Sequence, residues 1–383
     1  MSYYISSLYK KTARIMIVVC GLLFSIFSFV YLYVFQRELL EALHFSLAHG
    51  KTQFAPATSA IVITLILLLL RWGVNSLLGL KGYVRALSYF PSFLVLCALT
   101  DIDRNVYTSA AHSDWLWLLP LLIMLFVGAA YILRKVFRMQ LNREGSPMGV
   151  VNGNILIMLL FSLMTVFCGN TDRTFHHELQ AEHYLRHDDF DKALRVGEKS
   201  LKSSRTLTAL RAMAMAHTNT MGDRLFDYPQ YYGSEGLFFA DDSLETLRYT
   251  NDSIYYLLGA RPYAGEERMT FLRNICYKGT GKYTALDYYL SALLLDKKLD
   301  EFMEAANDFF APEDTLPRFY REAMVLYQAI HADSVFCRTD SVCMKRFLEY
   351  REKEKEYTDG RERENWMRRH YGDTYWWYFD YRK

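Results

Sequence analysis

The chain has 383 residues, of which 51% are hydrophobic and 16% aromatic, and its net charge is only +2. That small total hides a division near Asn170, because 13 Lys and Arg stand against 6 Asp and Glu before Thr171 and 31 against 36 after it. A basic, apolar front and an acidic remainder exclude nucleic acid as the main partner, since phosphate neutralisation needs a clustered basic face; six scattered cysteines exclude a disulfide framework.

About 20 mainly apolar residues are needed to cross ~30 Å of hydrocarbon, and five stretches come close: 15–35, 57–79, 83–100, 115–134 and 150–168. The first carries no charge and has no small-x-small cleavage site, so it reads as an uncleaved helix rather than a signal peptide. The second contains Arg71, whose long side chain can carry its head toward an interface. The third is short, with Arg85 at its start and Pro91 inside it, which predicts a kink. Asn152 and Asn154 stand at the start of the fifth.

Lys10, Lys11, Arg14, Arg71, Lys81, Arg85, Arg134, Lys135, Arg138 and Arg143 fall on one side of these spans, and Arg37, Lys51 and Arg104 on the other. Cytoplasmic loops carry the excess of Lys and Arg. The expected topology therefore has a cytoplasmic N-terminus and, after five crossings, everything beyond Cys168 outside.

After Asn170 the pattern changes to helices of ~12 to 18 residues separated by short polar breaks, with almost no strand alternation. The fold class is all-α: a bundle of about five transmembrane helices over 1–170, a water-soluble degenerate helical-repeat domain over 171–357, and an aromatic tail over 358–383. Within Ala181 to Leu194, Ala181 and Tyr184 on one helix and Ala193 on the next resemble the interlocking positions of a tetratricopeptide repeat. A period near 34 puts the next turn at Gly222-Asp223, with Leu207 to Thr218 before it, and Pro229 then interrupts the pattern. Further helical pairs are expected at 243–258 with 265–277, 282–295 with 299–309, and 318–331 with 340–357.

Several N-terminal spans followed by Leu-Arg-His-Asp-Asp-Phe-Asp-Lys-Ala-Leu, Ala-Met-Ala-His-Thr-Asn-Thr-Met-Gly-Asp-Arg-Leu-Phe and Tyr-Gly-Ser-Glu-Gly-Leu, and ending in Tyr371-Gly372-Asp373-Thr374-Tyr375-Trp376, resemble an uncharacterised family of multi-span bacterial inner-membrane proteins with tetratricopeptide-like C-terminal domains. The resemblance implies that architecture and a periplasmic side for the domain. It transfers no catalytic residue.

Candidate chemistry is sparse. His176, His183 and His187 share a ~40° stripe of one helix, and imidazoles so placed are candidates for a shared metal. The pattern is not His-Glu-x-x-His, however, so a solvated face is the expected reading. Asp101 and Asp103, joined by Glu38 and Glu41 in the other outer loop, are the candidates for a membrane enzyme acting on a lipid-linked substrate, such as a glycosyltransferase, where acidic loop residues serve as a base or hold a metal. Gly279-Thr280-Gly281-Lys282 lacks the first glycine and the hydroxyl of a phosphate loop, and no cofactor is expected. Cys337 and Cys343 are near enough in sequence to bridge in an oxidising compartment. The dense aromatic tail has three readings: a cap folded onto the repeats, a segment in the headgroup layer, or a docking element. The expected function is a membrane-anchored scaffold whose helical repeats bind a protein partner on the periplasmic face, with the lipid-linked enzyme as its rival.

Overall fold

A computed structural model of the protein describes residues 2–104, 106–107, 114–136, 146–240, 248–311, 314–331 and 340–382. Every regular element among them is helical and none is a strand. Five helical stretches, Leu8–Phe35, Pro56–Leu78, Gly82–Thr100, Trp115–Ile132 and Pro147–Cys168, are long and apolar enough to cross a membrane. The chain divides into two compact units, Met1–Arg173 and Thr174–Lys383.

In the first unit, α1 (Ser2–Val30) passes into a π-helical turn over Tyr31–Phe35, closed by Gln36 N–H donating to Tyr31 O at 3.0 Å. The wider turn accompanies a buried polar knot: the Tyr31 hydroxyl lies 3.2 Å from Thr165 O and 3.3 Å from Thr100 Oγ1, and Gln36 Nε2 donates to it at 3.2 Å. Such turns inside α-helices are rare, and no periodicity in the sequence announces this one. A short helix, α2 (Arg37–Ala48), follows and stops at His49, which takes the left-handed conformation. After it comes α3 (Pro56–Leu78).

The third span is composite. Gly82–Tyr89 winds as a 3₁₀-helix before α4 (Phe90–Thr100) begins, and Pro91 sits in the first turn of α4. There its missing N–H has no helical acceptor to disappoint, so the expected kink within a helix is replaced by a junction between two helix types. Two more helices complete the unit, α5 (Trp115–Val136), which carries Pro120 inside it, and α6 (Pro147–Cys168).

Aromatic contacts fill the middle of the unit. Phe24 meets Tyr89 at 5.0 Å and Phe93 edge-on at 5.1 Å, and Phe93 reaches Phe161 at 5.7 Å. The apolar surfaces of α5 remain on the outside, where Leu116, Trp117, Met124 and Tyr131 are exposed. In a bilayer that surface would face lipid.

Asn154, 2% exposed, is the polar clamp of this unit. Its Nδ2 donates to Gly82 O at 2.9 Å and to Val150 O at 2.7 Å, and its Oδ1 accepts the Ala86 N–H at 2.8 Å. The 3₁₀ segment thereby gains two bonds it cannot make itself, and Gly153 lets α6 approach, since a Cβ there would stand 2.9 Å from Tyr83 O. Each buried group left unpaired costs about 1–3 kcal/mol. Asn154→Leu is expected to lower the thermal midpoint of the detergent-purified chain, whereas Asn152→Leu, two residues away and exposed, leaves it unchanged.

The second unit opens with α7 (Arg173–Arg186), followed by the short α8 (Phe190–Arg195), α9 (Arg205–Thr218) and α10 (Met221–Arg224). Around Pro229 the chain forms only 3₁₀ turns, Leu225–Asp227 and Gly233–Leu237. Then come α11 (Asn251–Leu258), α12 (Arg268–Tyr277), α13 (Tyr283–Leu295), α14 (Leu299–Phe309) and α15 (Arg318–Ile330). The first of these is shorter than expected because Thr250 and Ser253 form a capping box that starts the helix at Asn251. From α12 to α15 each helix packs on the next.

A mixed-charge run extends over 345–363. It is divided by 357–359 between α16 (Ser341–Glu356) and α17 (Gly360–Tyr371), where Asp359 caps the second helix by accepting the Arg361 N–H at 2.8 Å. The expected Cys337–Cys343 bridge lies outside the described residues.

The aromatic end forms α18 (Tyr375–Tyr381), with Thr374 as N-cap, and Tyr375, Trp376, Trp377 and Tyr378 are buried within the unit. Its seat is Glu322 on α15: the Tyr375 N–H donates to Oε2 at 2.7 Å, and Arg318 Nε donates to Oε1 at 2.9 Å. Arg318 also reaches Asp373 at 2.9 Å and Asp227 at 3.5 Å, and Arg346 stands 3.6 Å from Asp373.

Burial pushes the Glu322 carboxyl up to about 7, although Arg318, the Tyr375 N–H and Arg346 all pull it down. Burial likewise pushes Asp227 up to about 6. A carboxyl that holds its proton more tightly when folded adds stability at low pH and loses that contribution as pH rises through the folded value. The second unit is therefore expected to lose stability between about pH 4.5 and about pH 7. Urea unfolding across that range checks this, and Glu322→Gln is expected to flatten the slope.

Candidate functional site

One open cavity of about 790 Å³ lies in the second unit, between the C-terminal half of α9, the length of α11 and the start of α13. This is within the ~300–1,000 Å³ of ordinary ligand pockets. Met213 and His217 come from α9, Asp252, Ser253 and Tyr256 from α11, and Lys282 and Tyr283 from the start of α13.

Local chemistry holds the walls. Gly259 ends α11 with φ of 84°, and any Cβ there would press to 2.8 Å of Lys282 Cγ and 3.1 Å of its backbone nitrogen. Only glycine suits both the positive φ and that approach. Across the junction, Lys282 N donates to Leu258 O at 2.8 Å, Lys282 Nζ to Tyr256 O at 2.8 Å, and Thr284 Oγ1 to Leu257 O at 2.7 Å. The Lys282 ammonium also lies 4.3 Å over the Tyr256 ring. The lysine of the Gly-Thr-Gly-Lys run is thus a fastener between two helices.

At the end of α9, the exposed His217 ring stacks on Phe190 at 4.5 Å with planes 4° apart. Partial desolvation lowers its pKa and Asp188 offsets that in part, so the ring is neutral at neutral pH. At the rim, Tyr256 is 80% exposed and Tyr283 68%. Asp252 is paired with Arg261 at 3.3 Å. The site offers flat aromatic faces, one neutral imidazole and one charge of each sign, and it displays no nucleophile activated by a base. Such a lining is suited to recognition.

The residues singled out in the sequence fall elsewhere. Asp101 and Asp103 are exposed at the end of α4, and Asp101 accepts the Trp115 indole N–H at 2.8 Å. Glu38 and Glu41 lie on α2, which packs against α4, and of the four only Glu41 is buried. His183 and His187 do come together, with ring centroids 4.4 Å apart, but His187 Nδ1 is turned to His183 O at 2.7 Å. His176 is half-buried on the same helix. Among the described residues no three His, Cys, Asp or Glu side chains are grouped to hold a metal.

Over residues 2–283 and 263–382 the chain matches the model of a family of unknown function, DUF6057. The chain belongs to that family. No curated protein and no solved structure matches it. This DUF6057 chain therefore has to be read from its own residues, and the cavity is what the sequence reading missed. Tyr249, Tyr256 and Tyr283 are separated by turns and a helix, so no spacing links them. The signal that was present is compositional: 29 tyrosines in 383 residues, more than a core alone requires.

Proposed function

We propose that the protein is a membrane-anchored scaffold of the bacterial inner membrane, whose second unit is a degenerate tetratricopeptide-like array projecting into the periplasm and binding a protein partner. The observation that carries this reading is the aromatic cavity between α9, α11 and α13, open at a rim of two exposed tyrosines. Tyrosine supplies large contact area at low entropic cost. The sequential packing of α12 to α15 and the match of Ala181, Tyr184 and Ala193 to repeat positions support the array. Ten basic residues on one side of five spans support the orientation.

A photo-crosslinking residue placed at Tyr283 is expected to capture a discrete protein in intact cells, and the same residue at Leu348, exposed on α16, is not. Tyr256→Ala should reduce that capture about tenfold, leaving the thermal midpoint unchanged because its ring is mainly in solvent. If capture is equal at both positions, the cavity is not the recognition surface. The enzyme reading makes the opposite demand: Asp101→Ala and Asp103→Ala would then reproduce a deletion phenotype at unchanged protein level.

A further inference from the structure

Two arginines of the first unit have no counter-charge among the described residues. Arg71, in the last third of α3, and Arg85, in the 3₁₀ segment, line one narrow cavity together with Cys20, Tyr89 and Asn154. Neither guanidinium makes a hydrogen bond or an ion pair with any described residue, and both Nε atoms are buried with no acceptor. Arg71 does not simply extend away from the bundle, because its guanidinium lies 4.7 Å over the Tyr89 ring. That stack fixes the group in place while leaving its N–H edge unused.

This arrangement is costly. Arginine stays protonated in proteins, and an unpaired charge taken toward hydrocarbon is strongly disfavoured. Two like charges on one cavity add mutual repulsion. An anion supplied from outside the chain relieves both costs, and a phosphate fits best, since its oxygens match the guanidinium fork bidentately. The cavity, at about 10 Å³, holds at most a water. The phosphate would therefore sit at its mouth, against the outer nitrogens of the two side chains.

We infer that Arg71 and Arg85 together form a binding site for the phosphate of an anionic phospholipid headgroup. Trp72, the residue after Arg71 on α3, is 68% exposed and offers apolar surface for acyl chains. Lys10, Lys11, Arg14 and Lys81, all exposed, belong to the same basic side of the spans and draw anionic lipid toward it. Basic pockets between spanning helices are a known way to hold such headgroups. The inference is independent of whatever the second unit binds.

The test uses the full chain in a phosphate-free maltoside detergent, followed by native mass spectrometry and thermal unfolding. Phosphatidylglycerol is expected to remain bound at one per chain and to raise the midpoint, while digalactosyldiacylglycerol, which has no phosphate, does neither. Inorganic phosphate at millimolar concentration separates the sources: a midpoint rise with phosphate equal to that with the lipid would assign the site to free phosphate and overturn the lipid. Arg71→Gln with Arg85→Gln is expected to weaken phosphatidylglycerol binding about tenfold or more. Lys81→Gln should change it less than twofold, and Arg85→Lys should give an intermediate loss, because it keeps the charge without the fork. Equal retention of the two lipids by the unaltered chain, a measurement that needs no variant to fold, would overturn the site, as would a loss with Lys81→Gln as large as that of the double arginine variant.

Discussion

Glu182→Leu is expected to destabilise the second unit by about 3–5 kcal/mol, the usual cost of removing one partner from a buried ion pair. Glu182 is fully buried on α7, and its Oε1 accepts both the Arg248 backbone N–H at 3.0 Å and Arg248 Nε at 2.7 Å. A leucine would take away the carboxylate from a guanidinium that is only 10% exposed. The double variant Glu182→Leu with Arg248→Met should recover most of the loss, since well-packed apolar pairs often replace buried ion pairs without penalty. Thermal unfolding of the four proteins of that cycle decides the matter, and a double variant as unstable as Glu182→Leu would place the effect in packing rather than charge.

The same pair bears on recognition. Arg248 immediately precedes Tyr249 and the capped start of α11, so the bond to Glu182 fixes where the wall of the cavity begins. Glu178, one turn earlier on α7, is also fully buried and accepts the Ser204 hydroxyl at 2.5 Å, just where Ser204 caps α9. The two acids of α7 thus orient the first residues of α9 and α11, two of the three helices that carry the cavity. Glu182→Leu is accordingly expected to reduce crosslinking from Tyr283 even at temperatures where the unit stays folded.

What could be read from the sequence follows from how local each cause is. The five apolar stretches needed nothing but hydropathy, and α13, α14 and α15 begin and end within a residue or two of expectation because polar breaks and apolar periodicity are written in consecutive residues. The composite third span was half legible: Pro91 announced an irregularity, but the 3₁₀ winding before it depends on Asn154, 68 residues away, which donates to Gly82 and receives from Ala86. The helix expected over 340–357 matches α16 to within a residue at each end, whereas α17 lies inside the stretch assigned to the aromatic tail, because the capping carboxylate of Asp359 is one acid among many until it meets the Arg361 N–H. Glu178 and Glu182 stand among the histidines of α7, whose face is expected from the sequence to be solvated. Helical spacing puts both acids on the face of Phe175, Leu179 and Leu185, but what makes their burial tolerable is tertiary, the partners Ser204 and Arg248.

Trp376→Ala is expected to cost the second unit a further ~3–5 kcal/mol, the range for removing a large buried aromatic, and to release α18 from its seat. The indole is fully buried, meets Phe347 edge-on at 5.1 Å and Tyr350 at 5.9 Å, and its Nε1–H donates to Glu322 O at 2.8 Å. With the ring gone, the carbonyl loses that donor and α16 loses the face on which Phe347 and Tyr350 pack. Trp376→Phe separates the contributions, because it retains most of the apolar contact and forfeits only the hydrogen bond, worth about 1 kcal/mol. Calorimetry on the full chain should rank the three proteins wild type, Trp376→Phe and Trp376→Ala, with the larger gap at the second step. Burial holds the Cys343 thiol at about 12, so it reacts slowly with thiol reagents while the unit is closed. Cys343 lies at the start of α16, close to Glu322, whose charge helps to raise that value. Faster labelling of Cys343 in Trp376→Ala than in Trp376→Phe would therefore report that the C-terminal helix had lifted from α15 and α16. Unchanged labelling together with an unchanged calorimetric midpoint would mean that the aromatic end of the chain is an ornament on a core that closes without it.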